Sequence, residues 1–117
     1  MVSEEDCLFC KIAAGKIGAD IVYENDEVLA FRDINPQAPT HILIIPRNHV
    51  ATINDLSDDE VDDVGRLFLA AQNIAKEEGV DESGYRVVMN CGEGAGQSVF
   101  HIHLHLLGGR AFRWPPG

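Results

Sequence analysis

The chain has 117 residues, 45% hydrophobic and 24% charged, a composition typical of one globular domain and too short for two. Its formal net charge of −10 would repel a phosphate backbone, so we expect no nucleic-acid partner. Apolar stretches such as residues 42–46 are far shorter than the roughly 20 residues of a membrane span, and residues 1–6 lack the features of a signal peptide. We therefore expect a single cytoplasmic domain over residues 1–117, with no membrane partner.

The first half of the chain predicts a short helix, a hairpin and a buried strand. Residues 7–14 can form the helix, which a glycine ends. Residues 21–23 and 28–31 predict a hairpin that turns at residues 24–26. The β-branched run 41–46 is bounded by prolines, and it predicts a buried strand.

The second half predicts one long helix between further strands. Ser57 to Glu60 matches a capping box that begins the helix. Apolar residues then recur with a helical period along one face, namely Val61, Val64, Leu67, Phe68, Ala71, Ile74 and Ala75. Residues 85–90 and 99–107 predict strands, separated by a glycine-rich turn at 92–96. One long helix together with antiparallel hairpins indicates the α+β class.

Three histidines occupy alternate positions of the last predicted strand, so their side chains share one face of the sheet: His101, His103 and His105. Ordinary solvent-facing positions would not need three titratable rings, so the pattern indicates a functional site. Such imidazoles can bind a metal, or they can supply a nucleophile and proton-transfer groups. The three positions span about 13 Å at roughly 3.3 Å per residue, which counts against one shared small ion.

The glycine-rich segment 92–98 comes immediately before these histidines. Its backbone N–H groups can turn toward an anion such as phosphate. The segment alone is a weak signal, because it lacks the Lys-Ser/Thr ending of a P-loop and a plain hairpin turn explains it equally well. Together with the three histidines it favours chemistry on a phosphate group.

Cys7 and Cys10 form a C-x-x-C pair. Three cysteines in a cytosolic chain of this size do not make a disulfide framework, and this spacing suits metal binding or redox chemistry. A reduced, unmetallated thiol pair beside the first helix is the alternative.

The chain resembles the histidine triad (HIT) superfamily, and within it the purine nucleoside phosphoramidase branch, over nearly its whole length. The signature of alternating histidines and apolar residues covers residues 101–107, preceded by Gly-Gln-Ser at 96–98 and followed by Gly-Gly-Arg at 108–110 and Trp-Pro-Pro-Gly at 114–117. Residues 31–41 are similar to the family's nucleoside-binding stretch. The resemblance implies a five-stranded antiparallel sheet with one long and one short helix, continued across a homodimer.

The resemblance also implies hydrolysis of the P–N bond in purine nucleoside 5′-phosphoramidates, such as an adenylated amine or lysine, through a nucleotidyl-histidine. By resemblance to the family motif, His103, the central imidazole, would be the nucleophile. A neutral imidazole can attack phosphorus without an activating base, which agrees with this role. His105 and Ser98 would hold the phosphate oxygens, and either could protonate the leaving amine. His41 would complete the catalytic group, although a core histidine bonded to backbone explains it nearly as well.

Further residues are implied to bind the nucleoside monophosphate. Asn90, Gly96 and Gln97 belong with the phosphate or ribose, and Asp33 with the ribose hydroxyls, unless Asp33 only forms a turn. Trp114 would approach the pocket of the partner subunit. An apolar slot would hold the purine, and simple core packing is the alternative for its residues, Phe9, Ile12, Phe31, Ile34 and Leu43.

Family members with the cysteine pair bind zinc through it and two histidines, which by position are His49 and His101. The resemblance therefore implies a structural zinc on Cys7, Cys10, His49 and His101 that the chemistry does not require. Two other functions remain open: a metal-dependent phosphate-ester hydrolase that uses the three histidines, and a non-catalytic sensor or scaffold for purine nucleotides.

Overall fold

A computed structural model describes residues 4–117, with residue 4 described by its backbone only. The predictions for residues 1–6 and for the domain 1–117 fall partly on residues 1–3, outside the described part. The described chain forms seven regular elements: α1 (Leu8–Ala13), β1 (Ile21–Glu24), β2 (Val28–Arg32), β3 (Thr40–Pro46), α2 (Val61–Glu77), β4 (Tyr85–Val88) and β5 (Leu104–Gly108). None of the helices in residues 4–117 is long and apolar enough to cross a bilayer.

The five strands form one antiparallel sheet in the order β1-β2-β3-β5-β4. The predicted α+β class, with one long and one short helix, is confirmed. Strand β5 lies between β3 and β4, and its His105 is opposite Leu43 on one side and Val88 on the other. This pairing places the last histidine of the triad on an inner strand of the sheet.

The two faces of the sheet bury different sets of side chains. Even-numbered residues of β2 and β3, such as Ala30 and Ile42, pack with α2 in the larger core. Odd-numbered residues, such as Phe31 and Leu43, pack with the buried side of α1 in a second cluster. Alternate residues of a strand point to opposite faces, so a sheet covered on both sides requires the continuous apolar run seen in β3. The α1 face is the one that carries the histidines.

The long helix begins with the predicted capping box. Ser57 Oγ accepts from Asp59 N–H at 3.2 Å, and Glu60 Oε1 accepts from Ser57 N–H at 2.9 Å. Residues Asp58–Glu60 form a 3₁₀ turn before α2 starts. The predicted apolar stripe is wrong at Val61 and Phe68, which are 63% and 52% exposed. The side of α2 that packs on the sheet carries its buried residues, Leu67, Ala70, Ala71, Ile74 and Ala75. The helical twist turns Val61 and Phe68 away from this side.

The last strand begins five residues later than the sequence predicts, at Leu104 instead of residue 99. Its pairing with β3 ends at Ile44↔Leu104. Earlier residues leave the ladder: Ile102 N–H donates to Val50 O at 2.8 Å, and the carbonyl of Pro46 accepts from the His101 ring. His101 and His103 therefore lie in an extended segment that precedes β5.

Candidate active site and metal centre

A cavity of about 620 Å³ opens between α1 and the histidine-bearing face of the sheet. Its volume lies within the roughly 300–1,000 Å³ of pockets that hold small molecules. One part of its lining is apolar and contains all five residues predicted for the purine slot, Phe9, Ile12, Phe31, Ile34 and Leu43. The polar lining includes Asp33, Ser98, His103 and His105.

The apolar walls come from α1, β2, β3 and the turn after β2. Phe9 and Phe31 meet edge to face, with ring centroids 5.4 Å apart. Both rings are buried, whereas Ile34 is fully exposed and stands in the cavity lining. Phenylalanine rings beside aliphatic side chains suit a flat aromatic ligand, because stacking and dispersion act across such surfaces.

His103 is buried between Phe9 and His105, with ring centroids 5.0 Å from each. Its Nδ1 lies 2.8 Å from the carbonyl oxygen of His101. Only an N–H can bond a carbonyl, so Nδ1 carries the proton and Nε2 keeps its lone pair. Burial lowers the pKa of His103, although the bond to the His101 carbonyl opposes it. The ring is therefore neutral at pH 7, and it has the fixed backbone acceptor that a nucleophilic imidazole needs.

His41 and His105 form a hydrogen-bonded pair beside it. The backbone N–H of Gln37 donates to His41 Nδ1 at 3.0 Å, so the His41 proton is on Nε2. That Nε2 lies 2.9 Å from His105 Nδ1 and 3.4 Å from Asp33 Oδ2. The shorter contact makes His105 Nδ1 the acceptor, which leaves His105 with an N–H at Nε2. Asp33 also accepts from Asn35 N–H at 2.8 Å, so it forms a turn as well as lining the cavity.

Both rings of this pair are neutral at pH 7. Burial, and then the neighbouring rings of His103 and His41, lower the pKa of His105 to about 4. Burial also lowers the pKa of His41, although the Asp33 carboxylate opposes it. The ligand atoms of Asp33, His41 and His105 lie within 4.8 Å of one another. In this proton assignment neither ring nitrogen of His41 has a free lone pair for a metal. Hydrogen bonds therefore explain why these three residues lie close together.

Several predicted site residues do not line the cavity. His41 is buried against His105 instead, and Trp114 is 83% exposed. The buried Gln97 side chain holds the glycine-rich loop: it accepts from Gly92 N–H at 2.8 Å and donates to Ala51 O at 2.8 Å. Asn90 and Gly96 also lie outside the lining. The glycine-rich segment 92–98 contributes its last residue, Ser98, to the cavity lining, and the next residue, Val99, also lines the cavity.

The cavity also has lining residues that sequence reasoning missed. Most come from α1 or the connection into β1, and Val99 follows the glycine-rich segment: Leu8, Ile17, Gly18, Ala19, Asp20 and Val99. They have no motif or periodicity of their own. Their place in the site follows from how the connection runs past the sheet, which no local pattern records.

The predicted metal ligands form a second cluster behind the cavity. The ligand atoms of Cys7, Cys10, His49 and His101 all lie within 4.8 Å of one another. Cys10 Sγ is 3.3 Å from His49 Nδ1 and 3.4 Å from His101 Nδ1, and Cys7 Sγ is 3.5 Å from His101 Nδ1. His101 Nε2–H donates to Pro46 O at 2.7 Å, which keeps the Nδ1 lone pair free for a metal.

Two thiols and two imidazoles are the donor set that tetrahedral zinc prefers, so these residues fit the ion. Burial above all lowers the pKa of His101 to about 4, which keeps the ring in the neutral form that a ligand must have. The rings of His101 and His103 serve different clusters: one contacts thiols, and the other lines the cavity. The three triad rings therefore do not converge on one ion.

Comparison with known proteins identifies the family. A HIT domain family model matches residues 14–112. The solved structure of a HIT family hydrolase from Legionella pneumophila Philadelphia 1 superposes with a TM-score of 0.93 and 58% identity, over 95% of this chain and 99% of that one. The chain belongs to the HIT domain family, and the resemblance drawn from the sequence is confirmed.

Two curated relatives are similar over most of the chain. The purine nucleoside phosphoramidase of Escherichia coli strain K12 is 53% identical over 106 residues, or 91% of this chain and 89% of that protein. The 14 kDa zinc-binding protein of Brassica juncea is 49% identical over 114 residues, or 96% of this chain and 100% of that protein.

Proposed function

We propose that this protein hydrolyses the P–N bond of purine nucleoside 5′-phosphoramidates, releasing a nucleoside monophosphate and an amine. The observation that carries the proposal is the His103 ring, which lines the cavity with Nδ1 bonded to a backbone carbonyl and a lone pair left on Nε2. The name and 53% identity of the Escherichia coli relative support the same activity.

The ligand would lie along the cavity with its base between the phenylalanine rings and the aliphatic residues. Asp33 lines the same cavity as Phe31 and His105, and its carboxylate can accept from both ribose hydroxyls. The phosphate would then meet Ser98, His103 and His105. Asn90 and Gly96 are proposed to contact the phosphate or ribose, and Gln97 to support that contact through the loop that its side chain holds. Trp114 is proposed to approach the pocket of a partner subunit.

The reaction would proceed in two displacements at phosphorus. His103 Nε2 attacks, the P–N bond to the amine breaks, and the amine leaves with a proton that solvent supplies through His105 or Ser98. A water molecule then attacks the nucleotidyl-histidine, the bond from phosphorus to Nε2 breaks, the proton that the water loses returns to solvent, and the monophosphate leaves. The Nδ1–H bond to the His101 carbonyl holds the ring in place and stabilises the charge it gains on attack.

The neighbouring donors stabilise the phosphoryl oxygens. His41 donates to His105 Nδ1, so the free donor of His105 is Nε2–H. His105 and Ser98 both line the cavity together with His103, and either the His105 N–H or the Ser98 hydroxyl can assist the departing nitrogen. His41 is a positioning residue, because it acts through His105.

We further propose that Cys7, Cys10, His49 and His101 hold a structural zinc ion. Four protein ligands leave no open position for water, so the ion would supply rigidity and not hydrolytic chemistry. The name of the Brassica juncea relative, at 49% identity, supports this choice of metal.

A homodimer is the third part of the proposal. Val61, Phe68 and Leu69 expose 63%, 52% and 62% of their surface on the outer side of α2. Strand β4 is an edge of the sheet, and an unpaired edge can pair with a second copy. An exposed apolar helix surface and an unpaired edge strand together fit a symmetric interface that continues the sheet.

The proposal is tested by mixing the protein with adenosine 5′-phosphoramidate in the presence of a chelator and trapping the covalent adduct for mass spectrometry. We expect a nucleotidyl adduct on His103 and steady release of AMP. An adduct on another residue would refute the assigned roles. Loss of turnover on chelation, with the fold and AMP binding both kept, would favour a metal-dependent hydrolase.

The variant His103→Ala separates an enzyme from a nucleotide sensor. We expect turnover to fall by at least about 10³-fold, because the nucleophile is removed, while AMP binding is largely kept. Wild-type protein that binds AMP but releases none from the phosphoramidate would establish the sensor instead.

A further inference from the structure

The four metal-binding residues connect segments that are far apart in the sequence. Cys7 is the N-cap of α1, where its Sγ accepts from Cys10 N–H at 3.4 Å. His49 follows β3, and His101 lies in the segment before β5. An ion held by all four would fasten the start of α1 to the segment that carries His103.

Both fastened segments contribute directly to the nucleotide cavity. Phe9 lies between the two cysteines in α1, and its ring meets His103 edge to face at 5.0 Å. His103 in turn donates from Nδ1 to the carbonyl of His101 at 2.8 Å. The wall of the purine slot and the nucleophile are therefore each within two residues of a metal ligand.

Neither segment has regular structure strong enough to fix its position. Helix α1 has six residues, and isolated helices shorter than about 12–15 residues are marginal in water. Residues 101–103 lie outside the β ladder, where Ile102 N–H bonds to Val50 O. Apolar packing holds α1 on the side of the cavity. The metal-binding cluster holds α1 through Cys7 and Cys10.

We propose that the metal centre fixes the wall of the purine slot relative to the nucleophile. Metal and nucleotide then bind with positive coupling. Cys7 and Cys10 are then positioning residues for nucleotide binding. An ordered wall lowers the conformational entropy that the ligand must remove on binding. Coupling between two binding equilibria is reciprocal, so a nucleotide must tighten metal binding by the same factor. The inference rests on the proposed nucleotide site and the proposed zinc.

The first experiment measures the AMP dissociation constant by titration calorimetry in zinc-loaded and chelator-stripped protein. We expect AMP to bind about tenfold more weakly without zinc, within the usual range of coupling factors. The zinc affinity, measured by competition with a chelator, should rise by the same factor at saturating AMP. Equal AMP affinity with and without zinc would overturn the coupling.

Two cysteine variants provide the matched comparison. Cys10→Ala should bind AMP as weakly as the stripped protein does, whether or not zinc is added. Cys91→Ala removes a half-buried thiol outside both clusters, and it should keep the zinc dependence of the parent. Loss of the dependence in Cys91→Ala, or its survival in Cys10→Ala, contradicts the proposal.

A second measurement applies if the stripped chain loses its circular-dichroism spectrum. Zinc release from loaded protein into a chromophoric chelator is followed with and without AMP. Cys10 and His49 line a separate cavity of about 460 Å³ that shares no lining residue with the nucleotide cavity, so bound AMP does not block the chelator. At equilibrium we expect saturating AMP to raise about tenfold the chelator concentration that removes half of the zinc, and an unchanged concentration overturns the coupling.

The outcomes separate the proposals. Loaded protein that binds no AMP refutes the nucleotide site itself. AMP binding that does not depend on zinc refutes the coupling between metal and nucleotide and leaves the proposed function intact. Protein that takes up no zinc refutes both the proposed metal centre and its coupling to the nucleotide.

Discussion

All five histidines of this chain belong to two adjoining clusters, and backbone groups fix the protons of three of them. The Pro46 carbonyl sets the tautomer of His101, the His101 carbonyl sets that of His103, and the Gln37 N–H sets that of His41. Each assignment frees one ring nitrogen for a defined partner: the thiols, the cavity or His105. Chemically identical side chains acquire different roles because their backbone partners differ.

The role of His41 is tested by His41→Ala. Without its donor, His105 can take either tautomer, and we expect kcat to fall about 10²-fold while KM changes little. The ¹⁵N chemical shifts of the His105 ring should change from one tautomer to a mixture.

The variant His41→Gln is the comparison, because an amide N–H can replace the lost donor. It should recover part of kcat and the single tautomer. A His105 ring that keeps its tautomer in His41→Ala would show that His41 is only a core residue.

At the scale of elements, the sequence predicted well wherever one element decides its own structure. The buried strand β3 and the capping box of α2 are found as predicted, because a β-branched run and a cap are local signals. Phe68 was misassigned, since several faces of α2 carry apolar residues and only the contact with the sheet selects among them. The start of β5 was misassigned because pairing with β3 decides it.

The capping box should contribute measurably to stability. Ser57→Ala removes the acceptor for Asp59 N–H, and we expect the free energy of unfolding to fall by about 1 kcal/mol. Denaturant titration measures this loss, and the AMP affinity should not change. Ser83→Ala, at an exposed position outside the helices and strands, is the matched control, and an equal loss in both variants would remove the capping explanation.

At the scale of the whole molecule, the exposed apolar side of α2 predicts self-association. Phe68→Glu places a charge on that surface, and we expect sedimentation to show a monomer where the parent chain is a dimer. Ile53→Glu changes a partly exposed side chain away from α2 and β4, and it should leave the dimer intact. A Phe68→Glu chain that sediments like the parent would place the interface elsewhere.

Stability should decline in acid because neutral histidines are buried. The pKa of His105 is about 4 in the folded chain and near 6.5 when unfolded, so the unfolded state binds more protons between these values. The free energy of unfolding in chelator should therefore fall as pH decreases from about 6.5 to 4. His105→Asn should show a smaller decrease over this window, and an identical decrease would exclude His105 as its source.

Some expectations remain predictions from composition alone. The single domain is predicted from length, the lack of a nucleic-acid partner from charge, and the cytoplasmic location from short apolar runs and residues 1–6. The contacts within the structure test none of these three predictions.

The sequence by itself determined the α+β class, the long helix, the triad and the paired cysteines, since each is written in local spacing or in a motif. Only the tertiary structure decided that β3 lies beside β5, which brings His41 to His105 across 64 positions of sequence. It also decided that residues 17–20 line the cavity. Periodicity reports which side of one element is buried, whereas contacts between distant segments depend on register and loop path, and these are set only when the whole core packs.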